Sequence, residues 1–435
     1  MLVRIKLICA LIAILLVPQF AMAQVAFPLK ASANKRYLVD QNNAPFLMMG
    51  DSPQSLFVNL SLTDAETYFA NRAAKGFNTL WVNLLCADGT GGRSDATTYD
   101  GIAPFTTPGD LSTPNEAYFA RMDAMLSLAA SYGINIVLNP AETISFLSVL
   151  TSNGATKARN YGRYLGARYA NQPNIIWMEG NDYVNNHLPS SAQDDVVTAV
   201  ALGIKDNDTN HIHTVELFYD DSGSLDDASR WSSIISLDAS YTYMYANGLG
   251  YPTYLRILTE YNRASIPVFL AEASYEYAQY GPTSLGTPYI LRLQEYWTNL
   301  SGATGQLWGS DPLWRLQTGW QTALDSPGSV QFSYAVQLFS SRKWYNIVPD
   351  QTHAVVTAGY GTSGQRNYAT TAPTADGTLV MAYAPVSTTL TVDMTKLSSV
   401  AVARWYDPSA GTFTAISGSP FANSGTHNFA TPGNN

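Results

Sequence analysis

Residues 174–182 read Asn-Ile-Ile-Trp-Met-Glu-Gly-Asn-Asp: a short apolar run, then a carboxylate, a glycine and an Asn-Asp pair. The same design recurs at 267–272, Pro-Val-Phe-Leu-Ala-Glu, where an apolar run again ends on a carboxylate. Consecutive apolar residues closed by polar ones mark a strand covered on both faces, as in a parallel sheet flanked by helices.

Working outward, such runs lie at 45–49, 78–85, 134–139, 174–178, 213–218, 234–237, 267–271 and 304–308. Between most of them stand amphipathic stretches of about 15 residues, the spacing of βα units. The first opens at Leu62, with Thr63 as N-cap and Glu66 completing a capping box, and Gly76 ends it. Others are predicted at about 115–132, 155–170, 192–205, 252–263, 288–300 and 329–341. Eight strands with intervening helices predict an α/β fold, a (β/α)8 TIM barrel, over residues 24–344.

Beyond Lys343-Trp344-Tyr345 the pattern changes to short alternating runs at 354–358, 379–383, 390–392 and 400–405, with Asp376-Gly377 as a hairpin turn signal. Residues 345–435 are read as a small antiparallel β-sandwich domain. At the other end, Arg4 and Lys6 precede an apolar run from Leu7 to Val17, and Ala21-Met22-Ala23 is a small-x-small cleavage site. Residues 1–23 read as an export signal, which implies a periplasmic or extracellular protein with no membrane segment after cleavage.

Composition narrows the function. The 435 residues are 46% hydrophobic and 13% charged, with 27 Tyr, 16 Phe and 9 Trp, which excludes a disordered chain and a single small binding module. With 24 Lys and Arg against 33 Asp and Glu, the net charge of -9 argues against nucleic acid as a partner. Cys9 leaves with the signal, so Cys86 stands alone; at the end of an apolar strand it reads as a buried structural thiol. His211 and His213 could share a strand face, but no third metal ligand accompanies them, and residues 89–92 lack the Lys of a phosphate loop. No metal or cofactor is expected.

In such a barrel the chemistry sits at the C-terminal ends of the strands. Those ends carry Asp51, Asn83, Asn139, Glu142, Glu179, Asn181, Asp182, Tyr243, Tyr245, Glu272 and Trp308, which are carboxylates, amides and aromatics with no cation. Asp182 and Glu272 stand about three βα units of roughly 30 residues apart, so they face one another across the barrel mouth. Glycosidic bond cleavage needs such a pair, one group to protonate the leaving oxygen and one to attack the anomeric carbon or activate water. Glu179 is a rival to Asp182 as the acid. Aromatics at strand ends suit stacking on the apolar faces of sugar rings. The long Gly-, Thr- and Pro-rich segment 88–114 after strand two is a candidate functional loop.

Phe46-Leu-Met-Met-Gly-Asp51-Ser, the run from Leu62 to Arg72, Lys75-Gly-Phe-Asn78, Trp177 to Asp182 and Phe269 to Glu272 resemble the apiosidase-like glycoside hydrolases. Residues 367–377 and Ala403-Arg-Trp-Tyr-Asp-Pro408 resemble the β domain that follows the barrel in that family, which bears a collagen-binding label. The resemblance implies Asp182 as acid/base and Glu272 as nucleophile of a retaining mechanism, with Asn181 hydrogen-bonding a substrate hydroxyl. It implies a poly- or oligosaccharide substrate, with apiose or another pentose of pectin side chains as the expected sugar. Asp51, Asn83, Glu142, Tyr243 and Trp308 are expected to bind substrate. A collagenase is not expected, since there is no His-Glu-x-x-His motif. The rival readings are a non-catalytic carbohydrate-binding protein and a matrix-adhesion protein on a barrel scaffold, and the spaced carboxylates count against both.

Overall fold

The computed structural model describes residues 25–183, 191–217, 221–243, 252–263, 265–280, 283–284 and 286–433. The export signal at 1–23 and Tyr245 lie outside the described residues. Eight parallel strands form the barrel: β1 (Met48–Asp51), β2 (Thr79–Asn83), β3 (Asn135–Asn139), β4 (Ile175–Met178), β5 (His213–Thr214), β6 (Asp238–Thr242), β7 (Val268–Glu272) and β8 (Gly305–Trp308). They pair in the order β5-β4-β3-β2-β1-β8-β7-β6, and a ninth, antiparallel strand, Asp221–Gly223, lies on the far edge of β6. Between β5 and β6 the seam is closed in part by Ser236 N–H donating to His213 O at 2.9 Å. Ser224 completes it: its hydroxyl donates to Val215 O and accepts from Ala239 N–H.

Each strand is followed by a helix: α1 (Leu62–Ala74), α2 (Glu116–Ser131), α3 (Leu147–Tyr169), α4 (Ser191–Asn207), α5 (Ala228–Trp231), α6 (Thr253–Arg263), α7 (Pro288–Leu300) and α8 (Pro327–Ser340). Among the described residues no helix is long and apolar enough to cross a membrane.

Side chains alternate along each strand, so one parity fills the barrel and the other meets the helices. Met48, Trp81, Val137, Ile176, Ala239, Phe269 and Leu307 belong to one interior cluster, together with Leu29, Leu38 and Phe46. The second, larger cluster lies between strands and helices, with Met49, Leu80, Ile136 and Trp308.

Four boundaries differ from the sequence reading. Pro45–Phe46 belongs to a separate antiparallel sheet with Lys30–Ala31 and Leu38–Val39, and β1 starts only at Met48. Strand six is not the apolar run 234–237 but the polar Asp238–Thr242 that follows it. Its Asp, Ser and Thr are all buried, and α6 and α7 supply partners for Thr242: its Oγ1 meets Thr253 Oγ1 at 2.8 Å, and Gln294 Nε2 donates to its carbonyl at 2.9 Å. The cap of α1 is Ser61 rather than Thr63, its hydroxyl accepting from Asp64 N–H at 3.1 Å. Helix α3 begins at Leu147 and breaks at Gly154, whose φ of +72° is why the periodic pattern starts only afterwards.

Residues beyond 347 form three small antiparallel sheets. One pairs Val356–Ala358, Thr389–Asp393 and Thr426–Ala430; hairpins join Thr370–Pro373 to Val380–Tyr383 and Arg404–Asp407 to Thr412–Ala415. The first hairpin turns at Asp376-Gly377, with Gly377 at φ +68°. This domain docks on the barrel through aromatic rings. Tyr368 stacks on Tyr254 at 4.6 Å and Tyr383 on Tyr296 at 4.8 Å, while Trp297 Nε1 donates to Tyr368 O at 3.0 Å.

Candidate active site

Glu272 ends β7. Phe269 and Ala271 point into the barrel, so regular alternation would turn Glu272 outward. The pairing with β6 shifts there: Ser240 lies opposite Leu270 but Tyr241 opposite Glu272, leaving Ala271 as an extra residue. Such a bulge re-aims the next side chain. Tyr241 Oη and Tyr243 Oη both donate to Glu272 Oε1, at 2.9 and 3.0 Å. Oε2 is buried and accepts no hydrogen bond. Burial pushes the Glu272 carboxyl up to about 7, while the hydroxyls of Tyr241, Tyr243 and Tyr275 hold it down.

Asp182 stands in a turn after β4, with φ of +46°, a left-handed conformation that Asp tolerates better than most residues. Thr143 fixes that turn, its hydroxyl accepting from Asn181 N–H at 2.8 Å and donating to Asn181 O. The Asn181 side chain accepts from Asn139 Nδ2 at 2.8 Å and from Thr143 N–H at 3.1 Å, and its own Nδ2 is buried without a partner. Asp182 Oδ1 is likewise buried and unpartnered. Its carboxyl is held well above the ordinary range, first by burial and then by the charge of Glu272, against a smaller opposing pull from Tyr241. The two carboxyls therefore share one desolvated pocket and are unlike. Glu272 is braced by phenols to carry negative charge, and Asp182 retains a proton.

Glu179 is no rival. Its Oε1 is bonded to His213 Nδ1, with both side chains almost wholly buried. His211 is similarly paired, Nδ1 to Asp208 Oδ2 at 2.7 Å, and Asp208 also accepts from Trp177 Nε1 at 2.9 Å. Each imidazole thus has its own carboxylate. Among the described residues no group of His, Cys, Asp and Glu is arranged to hold a metal.

Three expected substrate ligands require correction. Asp51 faces the helices: Oδ2 pairs with Arg72 Nε at 2.7 Å and accepts from Tyr68 Oη, and Oδ1 accepts from Ser52 N–H at 2.7 Å. Trp308, in register beside it, also faces outward; it lies over the Arg72 guanidinium at 5.5 Å and edge-on to Phe77 at 6.4 Å. Both sit at strand ends but on the outer parity. Glu142 precedes α3 and accepts from the N–H groups of Ile144, Ser145 and Phe146 at 2.8 to 3.1 Å, so its carboxylate serves the amides at the start of that helix. Asn83 has the inner parity, but its amide joins Trp81 Nε1 at 3.1 Å to Thr90 Oγ1 at 3.0 Å and so fastens the start of loop 88–114 to the barrel. Cys86 is a buried free thiol pushed up to about 12 by burial, which makes it unreactive.

Three pocket residues escaped the sequence reading. Two are Tyr241 and Tyr275, whose hydroxyls act on Glu272. The third is Glu216, fully buried with both carboxyl oxygens unpartnered, and raised well above its usual range by burial and by the charges of Glu272 and Asp182. Ile212 belongs to the interior cluster, and period two carries that face through Thr214 to Glu216, a continuation visible only once the ring has closed.

Comparison with known proteins bears on the fold and the family. Residues 32–346 match the family model of the apiosidase-like catalytic domain, and residues 348–435 match one described as a collagen-binding domain of a collagenase. Two solved structures are similar over nearly the whole chain. One, described as a glycoside hydrolase, is 22% identical, with 94% of each chain covered and a TM-score of 0.79. The other, a glycoside hydrolase family 5 protein from Bacteroides vulgatus ATCC 8482, is 21% identical, with 95% of this chain and 92% of that one covered and a TM-score of 0.80. At such identities the likeness speaks for the fold. A search of curated proteins finds no match.

Proposed function

The chain belongs to the apiosidase-like glycoside hydrolases, and on that premise we propose that it is exported and cleaves pentose linkages, apiose foremost, in pectic side chains by a retaining mechanism. Asp182 gives its proton to the glycosidic oxygen while Glu272 Oε2 attacks the anomeric carbon. The C–O bond breaks, the leaving sugar departs as the alcohol, and a glycosyl ester forms on Glu272. Asp182, now a carboxylate, takes a proton from water as that water attacks the anomeric carbon and releases Glu272. Asn181 Nδ2, unpartnered beside the acid, donates to a sugar hydroxyl.

The observation that carries this reading is the asymmetry of Glu272: one oxygen holds two phenolic hydrogen bonds and the other is free. That arrangement steadies an anion while leaving an oxygen to attack. The sugar follows from the family name, and export from the leader pattern at 1–23.

The test is sugar release from a panel of pectic and hemicellulosic polysaccharides by wild type, Asp182→Ala and Glu272→Ala, with the anomer of the first product read by NMR. Loss of turnover in both folded variants, and a product that keeps the configuration of the substrate, is the expected result. An inverted product would make Glu272 a base that activates water, and activity in either variant would remove that residue from its role.

A further inference from the structure

Glu216 lies two residues past β5, and its main-chain N–H donates to Gly180 O at 3.0 Å, which ties it to the turn that carries Asn181 and Asp182. The groups acting on it are Glu272 from β7 and Asp182 from the turn after β4, whose main-chain N–H exerts a smaller opposing pull, and Tyr241 from β6 acts with it as well; no cation is among them. Both carboxyl oxygens are buried without a hydrogen-bond partner.

Asp238 and Glu295 are also buried with both oxygens unpartnered, but neither is acted on by Asp182 or Glu272, and other buried carboxylates are filled by the fold. Glu276 gives Oε1 to Gly328 N–H at 2.8 Å and Oε2 to the Ser326 hydroxyl at the start of α8, and Glu142 is filled by amides in the same way. A buried acid with no partner destabilises the folded chain, and neither the barrel nor the two-carboxylate mechanism needs it there. Three carboxyls in one desolvated pocket cannot all be charged. The phenolic hydrogens of Tyr241 and Tyr243 go to Glu272, which places the negative charge on that residue. Asp182 and Glu216 then keep protons, and the reaction consumes only the first of them.

We propose that Glu216 is a third working carboxyl of this site, a neutral acid that donates a hydrogen bond to a hydroxyl of the bound sugar and so helps to select and orient it. The substrate supplies the hydrogen-bond partner that the fold does not provide. This rests on Asp182 and Glu272 being the reacting pair.

Two variants and one spectrum test it. Glu216→Gln keeps the shape and a donor, whereas Glu216→Leu keeps the bulk and loses every polar contact. On a sugar that wild type cleaves, kcat/KM is expected to fall about tenfold in Glu216→Gln and about a hundredfold or more in Glu216→Leu. The Tm of Glu216→Leu is expected to equal or exceed that of wild type, since an unpartnered buried acid has been removed. A structural residue would lower activity and Tm together, and that outcome, or a Glu216→Leu enzyme within about threefold of wild type, overturns the proposal. Infrared difference spectra of wild type against Glu216→Gln at about pH 8, above the value of about 7 to which Glu272 is lifted, need no turnover. The protonated Asp182 is common to both and cancels, so the difference is expected to keep one further protonated-carboxyl C=O band that belongs to Glu216, and its absence overturns the neutral acid. If Asp182→Ala and Glu272→Ala stay active while this band is present, the fault lies with the reacting pair and not with the state of Glu216.

Discussion

Tyr243 donates its phenolic hydrogen to Oε1 of Glu272 across 3.0 Å, and Tyr241 donates to the same oxygen at 2.9 Å. A hydrogen bond to the charged form favours it, so these phenols oppose the burial that lifts the carboxyl to about 7. Removing one lets burial win by more. In Tyr243→Phe the acid limb of the kcat/KM profile is expected to move up by roughly half to one pH unit, the equivalent of one ordinary hydrogen bond. A limb that stays in place while kcat falls would separate Tyr243 from the charge on Glu272.

The buried pair of Asp51 and Arg72 braces the outside of β1. Breaking a buried ion pair by removing one partner leaves the other charge unpaired, and Asp51→Ala is expected to lose about 3–5 kcal/mol of stability in denaturant unfolding. Its kcat/KM per folded molecule should stay within a few-fold of wild type. A variant as stable as wild type with kcat/KM selectively lost would return Asp51 to the substrate.

Glu179 and Asp182 are three positions apart and do different work. Glu179→Gln breaks the bond with His213, and a loss of about 1–3 kcal/mol is expected, with turnover retained in proportion to the folded fraction. Asp182→Asn is expected to keep its Tm and to lose about a hundredfold or more of kcat, the range of general acid catalysis. Differential scanning calorimetry beside initial rates separates the two effects, and the reverse pattern would make Glu179 the acid.

The raised carboxyls also set the pH dependence of stability. Glu272 is lifted to about 7 and Glu295, buried on α7, to about 8, both mainly by burial. In the unfolded chain such groups ionise at about 4, so between that value and the folded one the folded state binds more protons. Their contribution is therefore fully present below about pH 4 and is lost as pH rises through about 7 to 8. Asp206, Asp208 and Asp376 are lowered to about 2, and what they contribute is lost only on the acid side. Tm is expected to be higher at about pH 5 than at about pH 8, and Glu295→Gln should flatten the alkaline decline. A Tm that climbs steadily from pH 5 to pH 8 would contradict the burial of these acids.

The sequence by itself determined the barrel, because each apolar run between turn signals is a local sum over neighbouring residues. It also placed Asn181, Asp182 and Glu272, which close two such runs. It misplaced strand six, where Asp238, Ser240 and Thr242 interrupt any apolar run and become buried only when the barrel closes and α6 and α7 pack against it, with partners for Thr242. Only the tertiary structure decided which way the strand ends point. A strand covered on both faces reads the same from either side, so closure of the ring alone assigned Asp51 and Trp308 to the helices and Glu216 to the pocket. The bulge at Ala271 then reversed the parity for Glu272. A carboxyl's proton affinity is likewise set by groups that the chain brings together from β4, β5, β6 and β7, which is why the unlike characters of Asp182, Glu216 and Glu272 could not be read along it.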